Sequence, residues 1–191
     1  MPQEKHKIDA AISAADECLN EMPFILTLFG ERGKRFTYSD SFYLPTLEEL
    51  SETAAMHQVI WLKNVLSNRG LGSYALERHL RVLAGKLGEG RLSQLADKML
   101  ASRRNLVSDT QFNEITVELE KIIATTTGLP SRGAGGIAAS LLVDAKSGAP
   151  GCIEAFLKRF KAIIGSNEMK IVKSALESAG PKIGDGLEVT T

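Results

Sequence analysis

The chain has 191 residues, 43% of them hydrophobic and 24% charged, which is enough for one well-buried core and short for two independent ones. Lysine plus arginine equal aspartate plus glutamate at 23 each, so no overall field draws the protein to nucleic acid or an anionic membrane. No apolar run approaches the roughly 20 residues needed to span a bilayer, and no signal-peptide pattern follows the charged start. These features predict a cytoplasmic protein away from the membrane.

In chain order, Ile8, Ala11, Ile12, Ala15 and Leu19 fall at helical spacing and draw one apolar stripe, which Pro23 limits. Phe24 to Phe29 reads equally as a short buried helix or a strand. Residues 30–45 carry no helical apolar pattern and read as a long loop with Arg32, Lys34, Arg35 and four aromatics, Phe36, Tyr38, Phe42 and Tyr43. A loop of that length in a small domain reads as a lid or docking segment, or equally as a loop that its aromatics pin to the bundle.

Thr46-Leu-Glu-Glu49 matches a capping box, predicting a helix from there to about Asn68. Its inward face reads Leu47, Leu50, Ala54, His57, Trp61 and Val65, broadened by Met56, Val59, Ile60, Leu62 and Leu66. Gly70 suits a left-handed cap and Ser73 an N-cap for the next helix, with Leu76, Leu80, Leu83 and Leu87 inward. Arg91 to Val107 gives a further helix, and Ser108-Asp-Thr-Gln111 is a second capping box ahead of Phe112, Ile115, Leu119, Ile122 and Ile123. An alanine-rich helix over Ile137 to Asp144, one from Ile153 to Ile164 and one capped by Asn167 complete the pattern. The glycines after residue 180 predict a flexible tail at 181–191 behind a single domain of 1–180.

The fold class is therefore all-α: one compact bundle of seven or eight helices, globin-like or irregular. Cys18 and Cys152 lie outside any ligand spacing and read as small buried hydrophobes.

Chemistry-bearing residues are few. His57 precedes Trp61 by one turn and His79 lies on the following helix, but no third ligand accompanies them, so the sequence predicts neither metal nor cofactor. Together with Phe42 and Tyr43, the residues His57, Trp61 and His79 would bound a pocket for a small apolar ligand. Ser131-Arg-Gly-Ala-Gly-Gly136 is a glycine-rich loop opening a helix, where amides hold anions and Arg132 would supply counter-charge, yet it lacks the P-loop lysine and a preceding strand. From Arg78 to Arg104, seven basic residues (Arg78, Arg81, Lys86, Arg91, Lys98, Arg103, Arg104) face two acids. That stretch reads as a solvated helix surface or a patch for an acidic protein, with nucleic-acid phosphates as the alternative.

The run Met56-His-Gln-Val-Ile-Trp-Leu-Lys-Asn-Val-Leu-Ser-Asn-Arg69-Gly-Leu71, followed by Leu76 to Ala84, resembles helical hairpins of bacterial regulators, those beside cobalamin-binding sensor domains and the non-haem globin-like sensor modules. The cobalamin-binding module itself is absent. The resemblance implies a stand-alone sensory or adaptor module and transfers no catalytic residue. A non-enzymatic regulatory protein, binding a small apolar ligand or a protein partner and compatible with a homodimer, follows as the leading expectation; a small enzyme with a site between residues 30–45 and the hairpin is the least favoured.

Overall fold

A computed structural model describes residues 4–88 and 90–184. Ten α-helices and two short 3-10 segments, with no strand, make up these described residues. The helices are α1 (Lys5–Glu21), α2 (Phe24–Phe29), α3 (Glu31–Tyr43), α4 (Glu52–Ser67), α5 (Ser73–Leu87), α6 (Arg91–Arg104), α7 (Asp109–Thr127), α8 (Ala134–Lys146), α9 (Cys152–Phe160) and α10 (Ser166–Ala179). Among the described residues, none is long and apolar enough to cross a membrane.

One of the ten decides an open reading and one corrects the sequence reading. The segment 24–29 is a helix, and 30–45 is no loop but α3 followed by a 3-10 segment, Leu44–Glu49. The reason lies in the inward stripe of α3, which is Gly33, Thr37 and Ser41, each four residues from the last. Small and polar residues carry no apolar periodicity, yet they let backbones approach. A Cβ on Gly33 would come within 2.9 Å of the Ile25 carbonyl oxygen.

Capping differs too. Thr46 lies inside the 3-10 segment and hydrogen-bonds the Tyr43 carbonyl, while α4 starts six residues later with Ser51 as its N-cap, accepting from the Ala54 amide. Glycines, not the expected Ser73 and Asn167, hold the N-cap positions of α5 and α10. The second capping box is formed as read: Ser108 Oγ accepts from the Gln111 amide at 3.2 Å, and Gln111 Oε1 from the Ser108 amide at 3.3 Å.

The centre of the molecule is α8, whose residues from Ala134 to Asp144 are all buried. Its small residues bring neighbours close: a Cβ on Gly135 would meet the Thr116 carbonyl of α7 at 2.0 Å, and one on Gly136 the Tyr74 ring of α5 at 2.6 Å. One apolar cluster runs from Ala14 through to Ile183. Within the expected tail of 181–191, Ile183 is fully buried and the Gly184 amide donates to the Leu106 carbonyl, so these two belong to the packed fold; residues 185–191 lie outside the described residues. Cys18 and Cys152 are free, buried thiols pushed up to about 12 by burial, in keeping with their reading as small hydrophobes.

Candidate functional site

The proposed His57 and Trp61 face does not point inward. The buried face of α4 is Ala55, Val59, Leu62 and Leu66, so the helix is rotated from its predicted register; His57 is exposed and Trp61 is 57% exposed. Two overlapping apolar stripes run along this helix, and the one that the sequence favours is not the one that packs. Phe42 and Tyr43 line an open depression on α3 with Tyr38 and Lys34, and the Tyr43 hydroxyl donates to Gln58 at 2.8 Å.

His79 lies elsewhere again. It is buried in α5, where its Nε2 shares a hydrogen bond with the fully buried Ser41 hydroxyl of α3. Burial pushes the imidazole down to about 4, which keeps it neutral. This serine and histidine form a core contact that ties α3 to α5. Neither lines the Phe42 and Tyr43 depression.

The glycine-rich loop already holds an anion, and it belongs to the protein. Glu120 Oε2 of α7 accepts from the Gly133 amide at 3.1 Å and the Gly135 amide at 3.2 Å, at the opening of α8. Arg132 turns away to the Asn20 carbonyl.

The basic stretch is likewise met by acids brought from other elements. Glu21 takes two hydrogen bonds from Arg78, at 2.8 and 2.7 Å, and the guanidinium holds its carboxyl below the usual range. Lys86 pairs with Glu17, Lys98 with Glu52, Arg81 with Glu77 and Asp97, and Arg104 with Asp109. Beside Arg91 the main chain is engaged: its amide and that of Leu92 donate to the two oxygens of Glu48, each at 3.0 Å. The excess of base seen along the sequence is offset in space.

What sequence reasoning missed is a cavity of about 200 Å³ between α4, the start of α5, α6 and the end of α8. Its apolar wall includes Met56, Val59 and Met99; its polar wall is Lys63, Arg103 and Asp144. Asp144 is fully buried. Its Oδ2 accepts from the Ser67 hydroxyl at 2.7 Å and the Ser73 amide at 2.8 Å, capping α5 from a distance. Its Oδ1 accepts no hydrogen bond, although the Lys63 ammonium lies 3.4 Å away and itself donates to Ser147 at 2.9 Å.

Arg103 completes the set. Its guanidinium stacks on the Phe112 ring with its central carbon 3.9 Å from the centroid, and Nη2 lies 3.5 Å from Asp109. Nε and Nη1 are buried and donate no hydrogen bond. Asp144 and Arg103 thus carry buried atoms that make no hydrogen bond, each with an opposite charge beside it, Lys63 at 3.4 Å from Asp144 Oδ1 and Glu77 at 3.8 Å from Arg103 Nε. Lys63 and Asp144 are 81 positions apart in sequence, and no local motif marks either one.

Among the described residues no group of three or more histidine, cysteine, aspartate or glutamate side chains is placed to hold a metal ion. Comparison with protein-family models, curated proteins and solved structures found no match.

Proposed function

We propose that this protein is a non-enzymatic regulatory module that binds a small molecule in the cavity between α4, α6 and α8. The carrying observation is a partly open cavity of about 200 Å³ where four helices meet, lined by Met56, Val59 and Met99 on one side and by Lys63, Arg103 and Asp144 on the other. The ligand site therefore moves from the expected His57, Trp61 and His79 constellation to the adjoining face of α4, which carries Met56, Val59 and Lys63.

A regulatory role is supported by how the cavity is walled. Four helices contribute to it, so an occupant favours whichever packing of the four fits it best. Ile60 lines the cavity and is also 43% exposed, next to the exposed Trp61, which gives ligand occupancy a route to a surface that a protein partner would read. The likeness of the α4 and α5 hairpin to helical sensor modules agrees with this reading.

The test is ligand-observed NMR with a chemically diverse fragment set on the full chain and on Met56→Trp, which places an indole in the cavity mouth. Fragments that bind the parent and not the variant support the reading. Fragments that bind both equally, or none that bind the parent, overturn it.

A further inference from the structure

Three cations open α3 without a counter-charge. Among the described residues, Arg32, Lys34 and Arg35 make no hydrogen bond or ion pair, and all three are exposed. Over the 78–104 stretch, by contrast, acids from other elements meet Arg78, Lys86, Lys98 and Arg104. The three also stand in the first turns of a helix, at the positive end of its dipole, where acids are favoured and cations cost stability. Glu31 is the one acid among them. Asp40 lies toward Arg69, with which it lines a separate hollow. A local rule of helix construction broken on an exposed surface points to a function there.

We propose that this face of α3 binds single-stranded nucleic acid, with Lys34 and Arg35 on phosphates and Tyr38, Phe42 and Tyr43 as a platform for bases. This goes beyond the small-molecule site, and the two share no residue.

Charge and rings meet in one depression. Lys34 and Arg35 line it together with Tyr38, Phe42 and Tyr43, all three of which are half-buried. The Tyr38 hydroxyl donates to Asp16 of α1 and the Tyr43 hydroxyl to Gln58 of α4 at 2.8 Å, so two of the rings are pinned at their tips. Tyr38 and Phe42 are one helical turn apart, about 6 Å along the axis, which lets neighbouring bases of an unstacked strand lie on successive rings. Stacking of this kind tolerates any base, and a basic track beside it holds the backbone.

The depression, about 640 Å³, is open to solvent, so a lone nucleotide would be covered on one side only. Affinity then has to come from several contacts along a strand. A duplex hides its base faces from such rings. A lipid surface meets protruding groups, whereas these rings line a hollow. An acidic peptide would use the cations and leave the rings unused.

The test follows the fluorescence anisotropy of a labelled single strand of about 12 nucleotides, mixed in sequence, with the full chain at about 50 and 200 mM salt. The expected result is binding at the lower salt that weakens about 7-fold or more at the higher, as two phosphate contacts on a single strand require. Lys34→Gln and Arg35→Gln should each reduce the salt slope by about 0.7, and Lys98→Gln, from the paired stretch, should leave it unchanged. Phe42→Leu, which keeps an apolar side chain and removes the ring, should weaken binding about 5-fold or more at unchanged slope. Misfolding would not separate affinity from slope in this way. No binding at the lower salt overturns the proposal, as does equally tight binding of a duplex of the same sequence or of polyglutamate. It also fails if Lys98→Gln lowers the slope as the α3 variants do, if those variants leave the slope unchanged, or if Phe42→Leu leaves the affinity unchanged. Fragment binding in the cavity is read separately, so each result stands without the other.

Discussion

Asp144 accepts a 2.8 Å hydrogen bond from the Ser73 amide, so a helix whose own N-cap is glycine is closed by a carboxylate that arrives 71 residues later in the chain. The same arrangement occurs twice more. Glu48 closes α6 behind Gly90, and Glu120 closes α8 behind Gly133. Each carboxylate sits where the orphan amides and the positive end of the helix dipole favour an anion, and at Gly90 the glycine leaves room for it. A Cβ on Gly90 would lie 3.0 Å from both Glu48 oxygens.

Removing these remote caps should cost unequal amounts. Glu48→Ala exposes two amides near solvent and should lose about 1–2 kcal/mol of unfolding free energy, as cap removals do. Asp144→Ala also strands the partly buried Lys63 ammonium and the Ser67 hydroxyl, and should lose about 3–5 kcal/mol. Asp144→Asn, which keeps an oxygen for Ser73, should fall between wild type and the alanine variant. Urea unfolding at neutral pH measures all three.

The buried His79 and the half-buried Asp40 should hide one another's pH dependence. Burial lowers His79 from 6.5 to about 4, so between those values the unfolded chain binds a proton that the folded one does not, and stability falls as pH falls. Burial raises Asp40 from 3.8 to about 6 despite the nearby Arg69, so there the folded state binds the extra proton and stability rises as pH falls. Between about pH 4 and 6 the two slopes nearly cancel. Asp40→Asn should uncover a loss of about 3 kcal/mol on going from about pH 6.5 to 4, because each tenfold difference in proton affinity between the folded and unfolded chain is worth about 1.4 kcal/mol. His79→Gln should uncover a slope of the opposite sign, read from denaturant midpoints across that range.

Glycines of similar appearance should respond oppositely to alanine. Gly72 has an ordinary backbone, but an added Cβ would meet Ser140 Oγ at 2.0 Å and the Ile137 carbonyl at 2.4 Å, so Gly72→Ala should destabilise by about 2–3 kcal/mol. Adding Ser140→Ala should recover only part, because the carbonyl remains. Gly85 lies inside α5 with nothing near its Cβ position, so Gly85→Ala should stabilise by about 0.5–1 kcal/mol through helix propensity. Thermal melts of the three variants check this.

Trp61, the single tryptophan, should behave as a surface residue. Its emission should be red-shifted and open to quenching by acrylamide, and Trp61→Ala should change stability by about 0.5 kcal/mol or less. A blue-shifted, protected emission would place the side chain in a core or interface instead.

Signals confined to three or four neighbouring residues were legible in the sequence: the Ser108 and Gln111 capping box, the positive-φ Gly70 and the leucines of α5. Helices that pack by small residues were not. The helix α1 buries Ala10, Ala11, Ala14 and Ala15 and leaves Ile12 40% exposed, because close backbone approach decides its orientation more than apolar content does. The same physics gives α3 the look of a loop. The cavity escaped notice for a further reason: Lys63, Arg103 and Asp144 stand on three different helices, and each looks like an ordinary helical charge until the fold brings them to one wall.

The glycine-headed helices also bear on how the chain reaches this state. A first helical turn is the costly one to form, and for α5 the group that would favour it lies 71 residues downstream. During synthesis, α5 leaves the ribosome well before Asp144 has been made, so its opening turn stays frayed until α8 arrives. Closure of the first turn of α5 is therefore a late, non-local event, and fragments ending short of α8 should show a less ordered amide at Ser73 than the complete polypeptide does.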